Sequence, residues 1–381
     1  MRDKLIFIFL FLANLSCNVQ ERKNELIIDI YQSVKFPLEL NVNPKRSSIQ
    51  YIESDSGEYL AIQNKIGPRV EIFKLAPFKH IRSIELAIDG PNRVGIPNGF
   101  RIVSKDSLLI ASIPPQIHTL SFDGIKKSSI QVIDTINHVN YLSSNNELPF
   151  LFDEQILFGA QPFFRDFLQT NPDNINSYSH IYKVDLKSKK TDWLPISHPS
   201  DFWNEGKKTP HFAWTDRYDT IVVSPQTDHR LWLISKQNGK LIGYKETKSV
   251  YVNKFQIVNG FPEGDKGIIE GLASDRYELM LHDPYRDVFY RFFFIGVDWE
   301  DYTMGYRDLF ANRPKIGLML LDKNLNILGE HVFPDHHIEA WNYFVGKDGL
   351  YVSTNNPNRD DFDENFLRYD IIRFEGLNYE D

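Results

Sequence analysis

One unit recurs along the 381-residue chain and constrains its fold more than any other feature: a polar turn containing aspartate, then a short apolar strand. It reads SDSGEYLAIQ from Ser54, SKDSLLIAS from Ser104, FDEQILFGA from Phe152, DRYDTIVVS from Asp216, SDRYELMLHD from Ser274 and GKDGLYVST from Gly346. A second strand follows each copy (RVEIFKL, QIHTLSF, HIYKVDL, RLWLISK, VFYRFFF and LRYDIIRF), and most copies continue through a polar turn into an outer strand. Short strands cut by turn residues, without long helical periodicity, predict an all-β protein. Repetition of a four-stranded unit predicts a β-propeller, whose radial arrangement leaves few sheet edges exposed.

The expected count is six blades. It becomes seven if DVFYRFFFIG and KIGLMLLDK, separated by the insertion Val297 to Pro314, belong to different blades. The last copy ends at RYDIIRFEGLNYED without an outer strand, whereas VKFPLELNV at Val34 is a strand without a blade. Pairing the N-terminal strand with the last blade would close the ring.

The N-terminus carries its own signal. Arg2 and Lys4 precede a nearly uninterrupted apolar run from Leu5 to Leu15, followed by Ser16 and the single cysteine, Cys17. A helix over that run would be roughly 16 Å long, well short of the roughly 30 Å bilayer core, which fits a cleaved signal better than a membrane span. Ala13-Asn14-Leu15-Ser16-Cys17 resembles a bacterial lipoprotein signal, with Asn14 departing from the usual aliphatic residue. The expected organisation is a removed signal at 1–16, a lipidated Cys17 and tether at 17–32, and one propeller domain at 33–381. Acyl chains on Cys17 would hold the domain on a membrane, and Asn18 in place of aspartate favours the outer over the inner membrane. A net charge of −8 without a basic block argues against nucleic acid as a partner.

The stretches DGPNRVGIPNGFRIVSKDSLLI from Asp89 and HDPYRDVFYRFFF from His282, with the signal and the blade pattern, resemble the β-propeller lipoproteins of Bacteroidota, relatives of the TolB-like six-bladed superfamily. The resemblance implies a fold and an envelope location. It implies no catalytic residue.

Several clusters could carry chemistry. Arg286 and Arg291 lie among aromatic residues beside His282, and an arginine fork grips carboxylates and stacks on rings, so an anionic ligand or sugar acid at the channel mouth is one expectation. His211 and Trp214 stand where an innermost strand would begin, and Trp214 would suit the apolar face of a sugar. FPDHHIEAWNYF offers Asp335, His336, His337 and Trp341, with zinc as the candidate ion; adjacent histidines on a strand point to opposite faces, so a loop is required. NNPNRDDFDENF offers Asp360, Asp361 and Asp363 as oxygen ligands for calcium. No other cofactor is expected, and no nucleophile elbow, phosphate-binding glycine loop or H-E-x-x-H pair is present to mark an enzyme. The leading expectation is therefore a lipid-anchored binding or scaffolding module for an envelope protein or glycan. The alternative is a metal-dependent hydrolase, lyase or lactonase acting on a carbohydrate-derived substrate in the channel.

Overall fold

The computed structural model describes residues 25–38, 48–64, 67–134, 136–137, 139–161, 167–258 and 260–379. Cys17, the signal and the start of the tether lie outside the described residues. The described strands form six antiparallel four-stranded sheets. Blades 1 to 5 span 49–85, 96–131, 151–193, 212–246 and 276–332, and blade 6 joins 343–374 to the N-terminal strand Ile28–Pro37. That strand runs antiparallel to Phe366–Phe374, from Ile28 opposite Phe374 to Pro37 opposite Phe366, and closes the ring as expected. It begins inside the 17–32 span read as tether, and just before it the Leu26 N–H donates to the Glu330 carbonyl of blade 5 (3.0 Å).

Middle strands lie between two neighbouring blades, so both of their faces must be apolar. Val288–Phe294 and Ile316–Leu321 are buried at every position, whereas the outer strand Leu241–Glu246 is largely exposed. Each pair of adjacent blades encloses its own core. Val70 and Ile72 meet Leu108 and Ile110 between blades 1 and 2, and Leu60 and Phe73 meet Tyr351 and Tyr369 where blade 6 returns to blade 1. Burial of apolar surface thus seals the ring without a disulfide.

Val288–Phe294 and Ile316–Leu321 pair directly, in one blade, so the count is six. The insertion between them holds a short helix, Tyr306–Ala311, packed on a second one, Lys266–Leu272, that precedes blade 5. One register differs from the repeat as read. In five copies the strand after the aspartate turn is the second of its blade, but SDRYELMLHD supplies the innermost strand Arg276–Asp283. Asp275 organises a loop instead, accepting from the N–H groups of Asn253, Lys254 and Gly296, and Asp287 occupies the hairpin turn.

Every innermost strand starts on the face that carries the long connections between blades. It ends on the opposite face, at the short turns 55–56, 105–106, 154–155, 218–219, 284–287 and 347–348. Among the described residues no helix is long and apolar enough to cross a membrane.

Candidate functional site

The channel along the ring axis is shaped by the connection from blade 2 to blade 3. Ser144 donates its N–H to the Asn98 carbonyl (3.1 Å) and accepts from the Phe100 N–H (3.0 Å), laying this connection against the first strand of blade 2. Gly99 permits the approach: its φ is +113°, and a Cβ there would sit 2.0 Å from the Ser144 carbonyl oxygen. The Asn145 side-chain oxygen then accepts from the N–H groups of Glu147 (3.1 Å) and Leu148 (2.8 Å), an Asx-type turn that sends the chain outward into blade 3. Asn145 is left lining the cavities at both ends of the channel.

At the long-connection end a cavity of about 370 Å³ is lined by Asn98, Tyr141, Ser143, Asn145, Glu147 and His211, among others. Burial, and then the nearby charge of Glu278, raise the Glu147 carboxyl to about 8 against the opposing pull of Arg276. It is therefore mostly a neutral acid at pH 7. His211 keeps an exposed edge, and the protein packed around its ring lowers the imidazole, with Glu278 opposing, which favours the neutral form. Glu278 itself is 2% exposed and is held by Arg276 Nε, Trp341 Nε1 (2.8 Å) and Gln226 Nε2 (3.3 Å).

At the tight-turn end a cavity of about 450 Å³ is lined by the first strands of all six blades. Arg101 of blade 2 reaches into it with Asp216 of blade 4 nearby. Asp216 is already paired with Lys236. The Arg101 guanidinium donates no hydrogen bond to any described residue. Tyr51, Tyr285, Tyr343 and Phe344 supply aromatic walls, and the Tyr285 hydroxyl donates to Glu53 at the rim (2.7 Å). His282 also lines this end, with its Nε2 3.6 Å from Asp287, which two bonds from Arg217 (2.5 and 2.7 Å) hold down to about 2.

Of the residues singled out in the sequence, His211 and His282 line the channel at opposite ends, and Trp341 donates its indole N–H to the buried Glu278. Trp214 is fully buried in the core between blades 3 and 4, its indole N–H donating to the Pro149 carbonyl (2.9 Å). Arg286 spends its fork on Asp283 (2.5 Å) and on the Gly346 and Lys347 carbonyls (both 2.8 Å). Arg291, 0% exposed, donates to Ser224 Oγ and to the carbonyls of Thr247, Asp228, His229 and Pro225, and stacks 3.3 Å from the Tyr277 ring centroid. Ligand recognition by either arginine would require these bonds to break.

Asp335 accepts from the Tyr302 hydroxyl (2.8 Å), His336 faces the Tyr302 ring, and His337 points to Asp370 (3.3 Å). Asp361 is claimed by Arg359 and Arg368, which hold its carboxyl far below the usual range, Asp363 accepts from Asn365 and lies 3.8 Å from Lys35, and Asp360 is exposed. Among the described residues no three His, Cys, Asp or Glu side chains gather as a metal site. Arg101, Asp216, Glu147 and Glu278 escaped the sequence reading. The available signal was a charged residue within an innermost strand, such as Arg101 between Phe100 and Ile102.

Comparison with known proteins agrees with this architecture. The family described as "Domain of unknown function (DUF4221)" matches residues 16–332. The chain belongs to the DUF4221 family. A DUF4221 member from Bacteroides vulgatus, of known crystal structure, is 21% identical and superposes with a TM-score of 0.81 over 93% of this chain and 99% of its own. A putative exported protein from Bacteroides fragilis is 10% identical, with a TM-score of 0.54 over 92% of this chain and 96% of its own. No curated protein matches the sequence.

Proposed function

We propose that this DUF4221 propeller is a binding module of the cell envelope, anchored through Cys17 on the outer membrane, that receives a glycan or protein partner at its channel. The observation that carries this reading is the state of the channel side chains. The side chains of Glu147, His211 and Arg101 line open cavities and make no hydrogen bond to described residues, whereas the buried Arg291 and the His180–His198 pair are engaged within the protein. Polar groups left open in a concave, pre-formed space are what a ligand site requires. The lipoprotein-like signal supports the location, as does the similarity to a protein described as exported.

The test is an array of glycans and purified envelope proteins probed with the detergent-solubilised full-length protein. Saturable binding without consumption of the ligand is expected, lost on obstruction of the channel by Asn145→Trp. Conversion of a bound carbohydrate would replace this reading by the hydrolase, lyase or lactonase alternative, with Glu147 and His211 as its reacting groups. The anchor has its own check: Cys17→Ser should move the protein from the membrane fraction to the soluble fraction.

A further inference from the structure

We propose that the tight-turn end of the channel is a sugar-acid site in which Arg101 receives the carboxylate. The inference rests on the binding-module reading and names the ligand class.

A guanidinium remains charged when buried, because its ordinary pKa leaves deprotonation far out of reach at pH 7. Arg101 is half-buried, and the more deeply buried Arg286 and Arg291 have their charge met by a carboxylate, by several carbonyls and by an aromatic face. Arg101 has none of these at hydrogen-bond distance. Burial lowers its pKa, and the charge acting against that shift belongs to Asp216, which is already bound to Lys236. A planar five-donor fork facing a cavity is matched best by a planar carboxylate, which accepts two parallel bonds.

The remaining lining narrows the ligand further. The Asn145 side-chain oxygen is taken by two backbone N–H groups, which fixes the amide orientation and leaves its NH₂ as a second donor toward the cavity. Asp216 and Glu53 add acceptors for hydroxyl groups, and their negative charges disfavour a multiply charged anion such as phosphate. Tyr285, 40% exposed at the rim, and Tyr51 offer faces for a ring. A monocarboxylate with hydroxyl groups on a compact ring satisfies all of these groups together. The cavity of about 450 Å³ is large enough for one such ring.

Calorimetric titration of the full-length protein in detergent with galacturonate and glucuronate, beside galactose, glucose and inorganic phosphate, tests the assignment. Saturable uronate binding is expected, with the neutral sugars and phosphate weaker by about tenfold or more. Arg101→Met should weaken uronate binding by about ten- to a hundredfold, the value of a charge-assisted bond, with thermal unfolding unchanged. Arg101→Lys should restore part of it. Uronates that fail to bind, bind no better than neutral sugars or phosphate, or bind Arg101→Met as tightly as the parent protein would each overturn the assignment. If uronates fail while another array ligand binds at the channel, the sugar-acid site falls and the binding module stands. If a ligand is converted, the binding-module reading falls whatever Arg101 does.

Discussion

The two ends of the channel handle buried charge in opposite ways. At the long-connection end burial, and then the nearby charge of Glu278, raise Glu147 to about 8, so the site resolves the conflict by holding a proton. At the tight-turn end Arg101 has no such escape, because a guanidinium does not release its proton near neutral pH. One end is neutral and accommodating, and the other carries a standing demand for an anion. A buried carboxyl can adapt to its surroundings, whereas a buried arginine obliges its surroundings, or a ligand, to adapt to it.

The change with the largest expected effect removes both ends together. Gly99→Val would force a side chain into the Ser144 carbonyl at a positive φ and dislodge the connection that carries Asn145 and Glu147. A loss of about 3 kcal/mol or more in urea unfolding is expected. Unchanged stability would mean that Ser144 does not hold that connection in place. Next comes the contrast between two arginines. Arg291→Met leaves several buried carbonyls without a donor and should cost about 3 kcal/mol, whereas Arg101→Met should stay within about 0.5 kcal/mol. Equal costs would erase the distinction between an arginine that builds the fold and one that waits for a ligand.

A pH series sharpens the comparison. His198 Nδ1 lies 2.8 Å from His180 Nε2 between blades 3 and 4, and this bond needs one donor and one acceptor, so the pair cannot carry two charges. Burial lowers both, His180 to about 4 and His198 well below its ordinary value, with His211 also acting on His198. Between about pH 6.5 and 4 the unfolded chain therefore binds more protons than the folded one, and stability falls as the solution is acidified. The effect is on the order of a few kcal/mol, and His198→Phe should flatten the acid limb of a plot of melting temperature against pH. Glu147 works with the opposite sign. Its raised pKa stabilises the protonated form, and that contribution fades as pH rises from about 4.5 to 8. Glu147→Gln should remove the alkaline decline, on the order of a few kcal/mol by pH 8. If the variant still declines, the neutral-acid description of that end is incorrect.

The ring was legible in the sequence because a middle strand between two blades must be apolar on both faces, and VFYRFFF or GLMLL leaves little choice. The fifth copy was misread by one strand because Asp275 and Asp287 each precede an apolar run, and only tertiary pairing distinguishes a loop aspartate from a hairpin one. The site was less legible. Arg101 and Asp216 come from different blades, and no local pattern marks that their side chains share a cavity. Arg286 and Arg291 drew attention through their aromatic neighbours, which signal packing as readily as recognition. Trp214 shows the same ambiguity: its indole suits a sugar, but its neighbours from blades 3 and 4 leave it no access to one.

The closure of the ring also has a mechanical side. The strand that completes blade 6, Ile28–Pro37, begins within the segment read from the sequence as a tether. A tug from an anchored Cys17 would reach the Leu26–Glu330 bond first and then the ladder from Ile28↔Phe374 to Pro37↔Phe366. Pulled along its own axis, such a ladder resists with its hydrogen bonds loaded side by side rather than one after another. The clasp that shuts the propeller would then double as its mooring line, and its yield point would set the load the molecule can bear before the ring opens.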